Sequence, residues 1–339
     1  MIKFKLLFFV LLSYSSFSQI NDFKNINFNK ADKIAYELKG ENLNDLPKLS
    51  HNLTKLLSND VEKFRAIYIW VCTNIENDYY LFEKNTRKRN KYENDSIKLL
   101  KWNKEISRQT FKKLIKQKKT VCTGYAYLIK ELSNLANIKC EIVNGYGRTA
   151  ETVFSKSFTP NHSWNAVELN SKWYLCDATW SSGLFDLNKN TFDQNYNDGY
   201  FLTNPKYFLK NHFPLDSKWQ LVEEKLNFVD FKRFPLVYDE SFKNNLISIS
   251  PLIMYFEVKK SEEIILQLEK NKPINLDAIR VELVSGNYKK TIIPKITSLS
   301  DDIIELKFDF DLKGDYDLHI KINEDYISTY VVSINKKKK

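Results

Sequence analysis

Three residues in this chain have the types and the order that thiol acyl transfer needs: Cys122, His162 and Asp177. A cysteine sulfur attacks a carbonyl carbon as its thiolate. An imidazole within reach takes and returns the proton, and a carboxylate on the far side of the ring fixes the tautomer and stabilises the charged form. Cys122 lies in T-V-C-T-G-Y-A-Y-L-I-K-E-L-S-N-L-A, whose spacing predicts an amphipathic helix from about Thr123 to Ala136. Leu128, Leu132, Leu135 and Ala136 make its apolar face, while Lys130, Glu131, Ser133 and Asn134 face water. A thiol in the first turn sits among unpaired N–H groups at the positive end of the helix dipole, and both favour the thiolate. Gly124 and Ala126 leave little bulk beside the sulfur, so a substrate backbone can approach. The bland alternative is a buried cysteine capping a core helix.

The partners arrive on strands. Beyond the helix the pattern turns to period two over Lys139–Arg148, Ser163–Leu169 and Lys172–Trp180, and Asn170-Ser171 forms a tight hairpin link between the last two. His162 precedes the second of these strands and Asp177 lies near the end of the third, so antiparallel pairing makes them neighbours. An amide is a poor electrophile, so oxyanion donors are needed as well. The backbone N–H of Cys122 is one candidate and the indole of Trp102 another. His51 and His212 have no partner in the sequence and read as surface or packing residues, and His319 reads as a strand residue. Cys72, Cys140 and Cys176 lack metal-ligand spacing and read as buried thiols, with a Cys140–Cys176 disulfide left open. No cofactor or metal site is legible.

The order of elements is helices first and antiparallel strands afterwards, which is an α+β arrangement. Asn29–Gly40 reads as a short helix stopped by Gly40. Asn59 and Glu62 read as a capping box for a helix on which Val61, Phe64, Tyr68, Val71 and Ile75 step by three and four. Glu76 to Lys119 is charged and partly helical in pattern. From Asp198 to Val222 the text, punctuated by Pro205 and Pro214, reads as an irregular aromatic wrap over the sheet. After Leu226, short β-type runs predict a sandwich of seven or eight strands, with a tyrosine corner at Tyr316. The expected divisions are a signal peptide over 1–18, a catalytic domain over 19–226 and a β-sandwich over 227–339.

At 339 residues the chain suits two domains, and 43% hydrophobic residues are enough for two cores. Lys3, Lys5, an apolar run over Leu6–Leu12 and small residues before Gln19 form a cleavable secretory signal, too short to span a bilayer. Export to the periplasm or the exterior is therefore expected, with no transmembrane segment. Removing Lys3 and Lys5 takes the formal net charge from +10 to +8. Basic clusters at Lys84–Lys91, Lys112–Lys119 and Lys336–Lys339 read first as solvated surface. For an exported protein they fit anionic envelope polymers better than nucleic acid.

At these residues the sequence resembles the transglutaminase-like superfamily, and within it the kyphoscoliosis peptidase-like branch. The resemblance rests on R-A-I-Y-I-W-V-C-T-N-I, V-C-T-G-Y-A, H-S-W-N-A-V-E-L-N-S-K-W-Y-L-C-D-A-T-W, and Y-F-L-T-N-P through H-F-P-L-D-S-K-W-Q-L, covering about Asn59 to Val222. Two departures stand out: Lys119-Thr120 replaces a frequent Arg-Gly, and Ser163 replaces the usual Ala after the histidine. The resemblance implies a papain-like transglutaminase core, an Ig-like domain after it, a Cys122-His162-Asp177 triad, no required cofactor and a protein or peptide substrate. It favours peptidase-type hydrolysis, with transamidation of protein glutamine as the near alternative and a catalytically silent adhesion module as the distant one.

Overall fold

The computed structural model describes residues 19–152, 154 and 159–335. The expected signal peptide and the Lys336–Lys339 run lie outside the described residues.

The first core is built round one helix. After α1 (Asn29–Glu37) and α2 (Leu46–Thr54) comes α3 (Asp60–Asn74). Its start is fixed as the sequence predicts, because Asn59 accepts the Glu62 N–H at 2.9 Å and its amide donates to Glu62 Oε2 at 2.6 Å. Every residue from Phe64 to Cys72 is buried, so α3 is enclosed on all sides and does more than present one stripe. Enclosure includes Arg65. Its guanidinium is held by Asp32 at 2.7 Å and by Asp198, and it lies over the Phe201 ring at 4.7 Å, which meets the requirement that a buried charge be paired. Helix α1 ends earlier than predicted, and Gly40 (φ 87°) follows in the turn beyond it.

The charged stretch after α3 is a helical arm. Strand β1 (Glu76–Asn77) pairs in parallel with β2 (Lys119–Thr120), and between them run α4 (Tyr79–Lys91) and α5 (Ser96–Gln117), capped by Asp78 and Asp95. Residues 79–119 hold fourteen Lys and Arg against four Asp and Glu, an excess equal to the formal charge of the entire chain.

Helix α6 (Cys122–Leu135) then leads into β3 (Cys140–Gly147), β4 (His162–Leu169) and β5 (Lys172–Cys176). Asn170 and Ser171 both take positive φ, the two-residue turn that a right-twisted hairpin favours. The expected third strand stops at Cys176, and α7 (Ala178–Ser182) follows. After the short hairpin β6 (Leu184–Asp186) and β7 (Thr191–Asp193), and α8 (Pro205–Phe208), the wrap proves more ordered than its sequence suggests. Its β8 (His212–Pro214) joins the sheet, giving the order β5-β4-β3-β8.

The second half begins with α9 (Phe228–Arg233), β9 (Leu236–Val237) and α10 (Asp239–Lys243). Then come β10 (Leu246–Ser250), β11 (Tyr255–Lys259), β12 (Ile264–Lys270), β13 (Ile279–Ser285), β14 (Tyr288–Ile292), β15 (Lys295–Ser298), β16 (Ile303–Phe308), β17 (Gly314–Ile322) and β18 (Asp325–Asn335). One sheet is β10-β12-β16-β15 and the other β11-β18-β17-β13-β14, with β9 on β18; within these two sheets every described pairing is antiparallel except that of β11 with β18. Of the two strands beyond the eight expected, β9 is one, and the other arises because K-K-T-I-I-P-K-I divides at Pro294, which has no N–H for a ladder, and its halves enter different sheets. The Tyr316 hydroxyl donates to the Lys313 carbonyl at 2.8 Å, as a tyrosine corner requires. A shared apolar cluster joins Trp164, Tyr200 and Phe208 of the first half to Val237, Phe242 and Ile247 of the second.

Candidate active site

Backbone pairing alone brings the chemistry together. Asn165 on β4 stands opposite Cys176 on β5, so Asp177 follows the strand end beside the start of β4, where His162 sits. Asp177 is also the N-cap of α7: its Oδ1 accepts the N–H of Thr179 at 2.8 Å and that of Trp180 at 3.3 Å. This fixes the carboxylate with Oδ2 turned towards His162, whose Nε2 lies 2.6 Å away. Nε2 is thereby committed, and Nδ1 is the nitrogen left for Cys122, with which the ring shares a side-chain hydrogen bond. The N–H of Ser163 also reaches the sulfur.

The electrostatics follow from this geometry. Burial pushes the Cys122 thiol up, but the hydrogen bond and charge of His162, with the Ser163 N–H, outweigh it and the net shift is downward. Burial pulls His162 down, yet Asp177 and the Cys122 sulfur raise it to about 10. Asp177 is held well below the usual carboxylate range: burial opposes this, and His162 and then His212 overcome it. The site is thus biased towards the thiolate and the imidazolium, each charge favouring the other. The other cysteines, all free thiols, go the opposite way, with burial raising Cys72 and Cys176 and taking Cys140 up to about 12. Cys122 is less enclosed than the other three, with 9% of its surface open.

The ring is held from its flanks too. Trp180 stacks on His162 at 5.0 Å, and a Cβ on Gly147 would come within 3.0 Å of the His162 side chain, so the absence of a side chain there lets the imidazole lie flat. Gly124 has a different use from the one its position suggests. A Cβ at Gly124 would fall 1.9 Å from Thr120 Oγ1, so its small size accommodates Thr120 and not a substrate. Ala126 is likewise buried, and its carbonyl accepts from Asn165 at 2.9 Å. On the same helix Ser133 is buried and Leu135 is 43% exposed, because the buried face runs through Tyr125, Leu128, Ile129 and Leu132 and the helix ends at Leu135. Trp102 is buried against Leu81, Ile106 and Val121, and its indole N–H is committed to Asn85 at 3.0 Å, so this donor is already engaged.

His212 is the residue the sequence reading misses. It is fully buried, its Nε2 is 3.0 Å from Asp177 Oδ2, and it lies against Trp180, Trp164 and Phe208. Far from a surface or packing histidine, it is a second imidazole on the same carboxylate oxygen. The signal available was H-F-P within a segment carrying the family resemblance, and only the pairing of β8 with β3 gives it meaning. His51 is exposed, and His319 lies on β17 with Nδ1 2.7 Å from Thr329 Oγ1, both as expected.

A cysteine at a helix start, an imidazole on a strand and a carboxylate capping the next turn, on helices packed against an antiparallel sheet, make a papain-like arrangement. The family model described as Transglutaminase-like superfamily matches residues 47–178, which contain all three residues. Kyphoscoliosis peptidase of Homo sapiens is 32% identical over 228 residues, spanning 66% of this chain and 31% of that protein. The Mus musculus protein of the same name is 32% identical over 61% of the chain and 29% of its own length. Hillarin of Drosophila melanogaster is 23% identical over 65% of the chain and 26% of its length. The alignments thus span under a third of each relative. Residues 47–178 thus carry a transglutaminase-like domain, and the sequence around it is similar to the kyphoscoliosis peptidases. Among the described residues no helix is long and apolar enough to cross a membrane.

Proposed function

We propose that this chain is an exported cysteine acyl-transfer enzyme that hydrolyses protein amide bonds, with Cys122 as nucleophile, His162 as acid and base, and Asp177 holding the imidazole. The observation that carries the reading is the buried sequence of contacts from Cys122 to His162 to Asp177, with the thiol lowered while the other three are raised. Cys122 Sγ bonds to the carbonyl carbon, and the oxyanion takes the Cys122 N–H, free of an intrahelical acceptor at the helix start. The C–N bond then breaks as His162 Nδ1 gives its proton to the leaving amine. A water, losing its proton to the same nitrogen, attacks the acyl-enzyme; the C–S bond breaks and the ion pair is restored. The basic arm of α4 and α5 supports contact with anionic envelope polymers.

The test is a peptide library digested with and without an added primary amine. New carboxylates in both conditions, absent in Cys122→Ala and His162→Ala proteins that stay folded, are expected. Amide products only when amine is present would replace hydrolysis by transamidation, and no turnover together with an alkylation rate at Cys122 no faster than at Cys72 would overturn the reading. N-terminal sequencing of secreted material checks export, with Gln19 expected at or near the start.

A further inference from the structure

The carboxylate of Asp177 is not the end of its hydrogen-bond chain. Beyond His212, Nδ1 lies 2.7 Å from Asn211 Oδ1. Asn211 Nδ2 donates to the Tyr200 hydroxyl at 3.1 Å, and that hydroxyl donates to Asp239 Oδ1 at 2.6 Å. Asp239 opens α10, in the segment that leads into the sandwich. Four side chains, those of His212, Asn211, Tyr200 and Asp239, are therefore linked in series to the oxygen that holds His162.

Such a chain has a direction. In the orientation just given, each donor serves the next residue outward: His212 Nδ1–H to Asn211, Asn211 to Tyr200, Tyr200 to an ionised Asp239. His212 must then carry its proton on Nδ1. Burial lowers His212 to about 4 against the pull of Asp177, so it is neutral and has only one N–H. Its Nε2 lone pair would then face the Asp177 carboxylate. A half-turn of the Asn211 amide, which barely changes its shape, reverses every bond: a protonated Asp239 donates to Tyr200, Tyr200 to Asn211 Oδ1, Asn211 Nδ2 to His212 Nδ1, and His212 Nε2–H to Asp177.

We propose that His212, Asn211, Tyr200 and Asp239 form a directional relay in which the protonation of Asp239 sets the tautomer of His212, and so whether His212 donates to Asp177. His212 is thus a positioning residue, and the segment entering the second half supplies the far terminus of the site. Burial carries the Asp239 carboxyl up to about 7 against the Tyr200 hydrogen bond, which places the reversal in a range an assay can scan. The groups facing Asp239 are Glu240 and Lys243 on its own helix, and Asp193 and Tyr196 across a small cleft. Asp177 and His162 act on it from further off. Those facing His212 are Asp177, His162 and the Phe208 backbone, the last of which favours the protonated ring.

Only the catalytic meaning of the relay rests on the proposed function, so the test reads the tautomer directly. The chain has four histidines, so nitrogen-15 spectra of the full-length protein can be assigned by single substitutions at the other three. The expected result is His212 with its proton on Nε2 at pH 5.5 and on Nδ1 at pH 8.5, with a midpoint near 7. Asp239→Asn can still donate to Tyr200 and is expected to hold the Nε2–H form throughout; Tyr200→Phe is expected to remove the midpoint. Where Asp239→Asn does not fold, Tyr200→Phe alone decides. A single tautomer across the range in the wild type, or an unmoved midpoint in both variants, overturns the relay. Alkylation of Cys122 in His162→Ala is measured alongside: a wild-type rate there refutes the triad and leaves the tautomer result standing.

Discussion

Replacing Asp177 by Asn removes one charge without changing the side chain's shape, and the geometry decides which way the new amide points. With its oxygen towards α7 it keeps both cap bonds, to Thr179 and Trp180, and its NH2 group faces the Nε2 atoms of His162 and His212 with one hydrogen for each. The opposite orientation loses the cap, worth about 1 kcal/mol, and the first therefore wins. In it His162 must present a bare Nε2, so its proton sits on Nδ1 facing the sulfur and the ring is neutral. Cys122 keeps a hydrogen bond and loses an adjacent positive charge. Two unit charges about 4 Å apart at an effective dielectric of about 20 interact by roughly 4 kcal/mol, an upper bound near three pKa units. Alkylation of Cys122 by iodoacetamide at pH 6.5 should therefore fall by about 100- to 1,000-fold, and turnover by as much or more, because the ring can no longer accept the proton. Circular dichroism and the melting temperature should stay close to wild type. A folded Asp177→Asn protein alkylated within a factor of about three of wild type would show that the carboxylate does not sustain the ion pair.

Stability should vary with pH in a direction set by the same groups. The depressed Asp177 contributes stability present above about pH 3.9 and lost below it, and His162, raised to about 10, contributes stability present below about 6.5 and lost as pH rises towards 10. Asp239, raised to about 7, makes the fold progressively less stable from about 3.9 up to 7. Melting temperature should thus peak in mild acid, and a rise between pH 6.5 and 9 would contradict these assignments. Gly124→Ala should cost about 1–3 kcal/mol by overpacking against Thr120, read from urea midpoints; no change would mean Thr120 moves freely. A chain ending at Leu226 leaves Trp164, Tyr200 and Phe208 without Val237, Phe242 and Ile247, so most of it should aggregate; a soluble fraction matching the full chain would show that the cluster is dispensable.

Local signals were legible and long-range ones were not. The capping of α3 by Asn59, the start of α6 at Cys122 and the Asn170-Ser171 hairpin each depend on residues within a few positions, and spacing alone places them. The approach of His162 to Asp177 was legible because one tight hairpin fixes it. His212 is 35 residues from its carboxylate and reaches it through a three-residue edge strand that ends on Pro214, where no periodicity can register. Nothing in the sequence marks Arg65 as a buried charge, because its anions, Asp32 and Asp198, lie 33 and 133 residues away. Trp102 was open to an oxyanion role until Asn85, on a helix the sequence marks only by charge, took its N–H.

The arm formed by α4 and α5 makes the molecule electrically lopsided. Since residues 79–119 account for the whole formal excess of +10, the remainder of the chain balances to zero. An approaching anionic surface therefore exerts a torque before it exerts any specific contact, and the arm arrives first. Because the Debye length is about 8 Å at physiological ionic strength and about 30 Å in ten-millimolar salt, that steering is strong in dilute media and fades in concentrated ones. The orientation in which the protein meets its surroundings is thus a property of the salt around it as much as of its own fold.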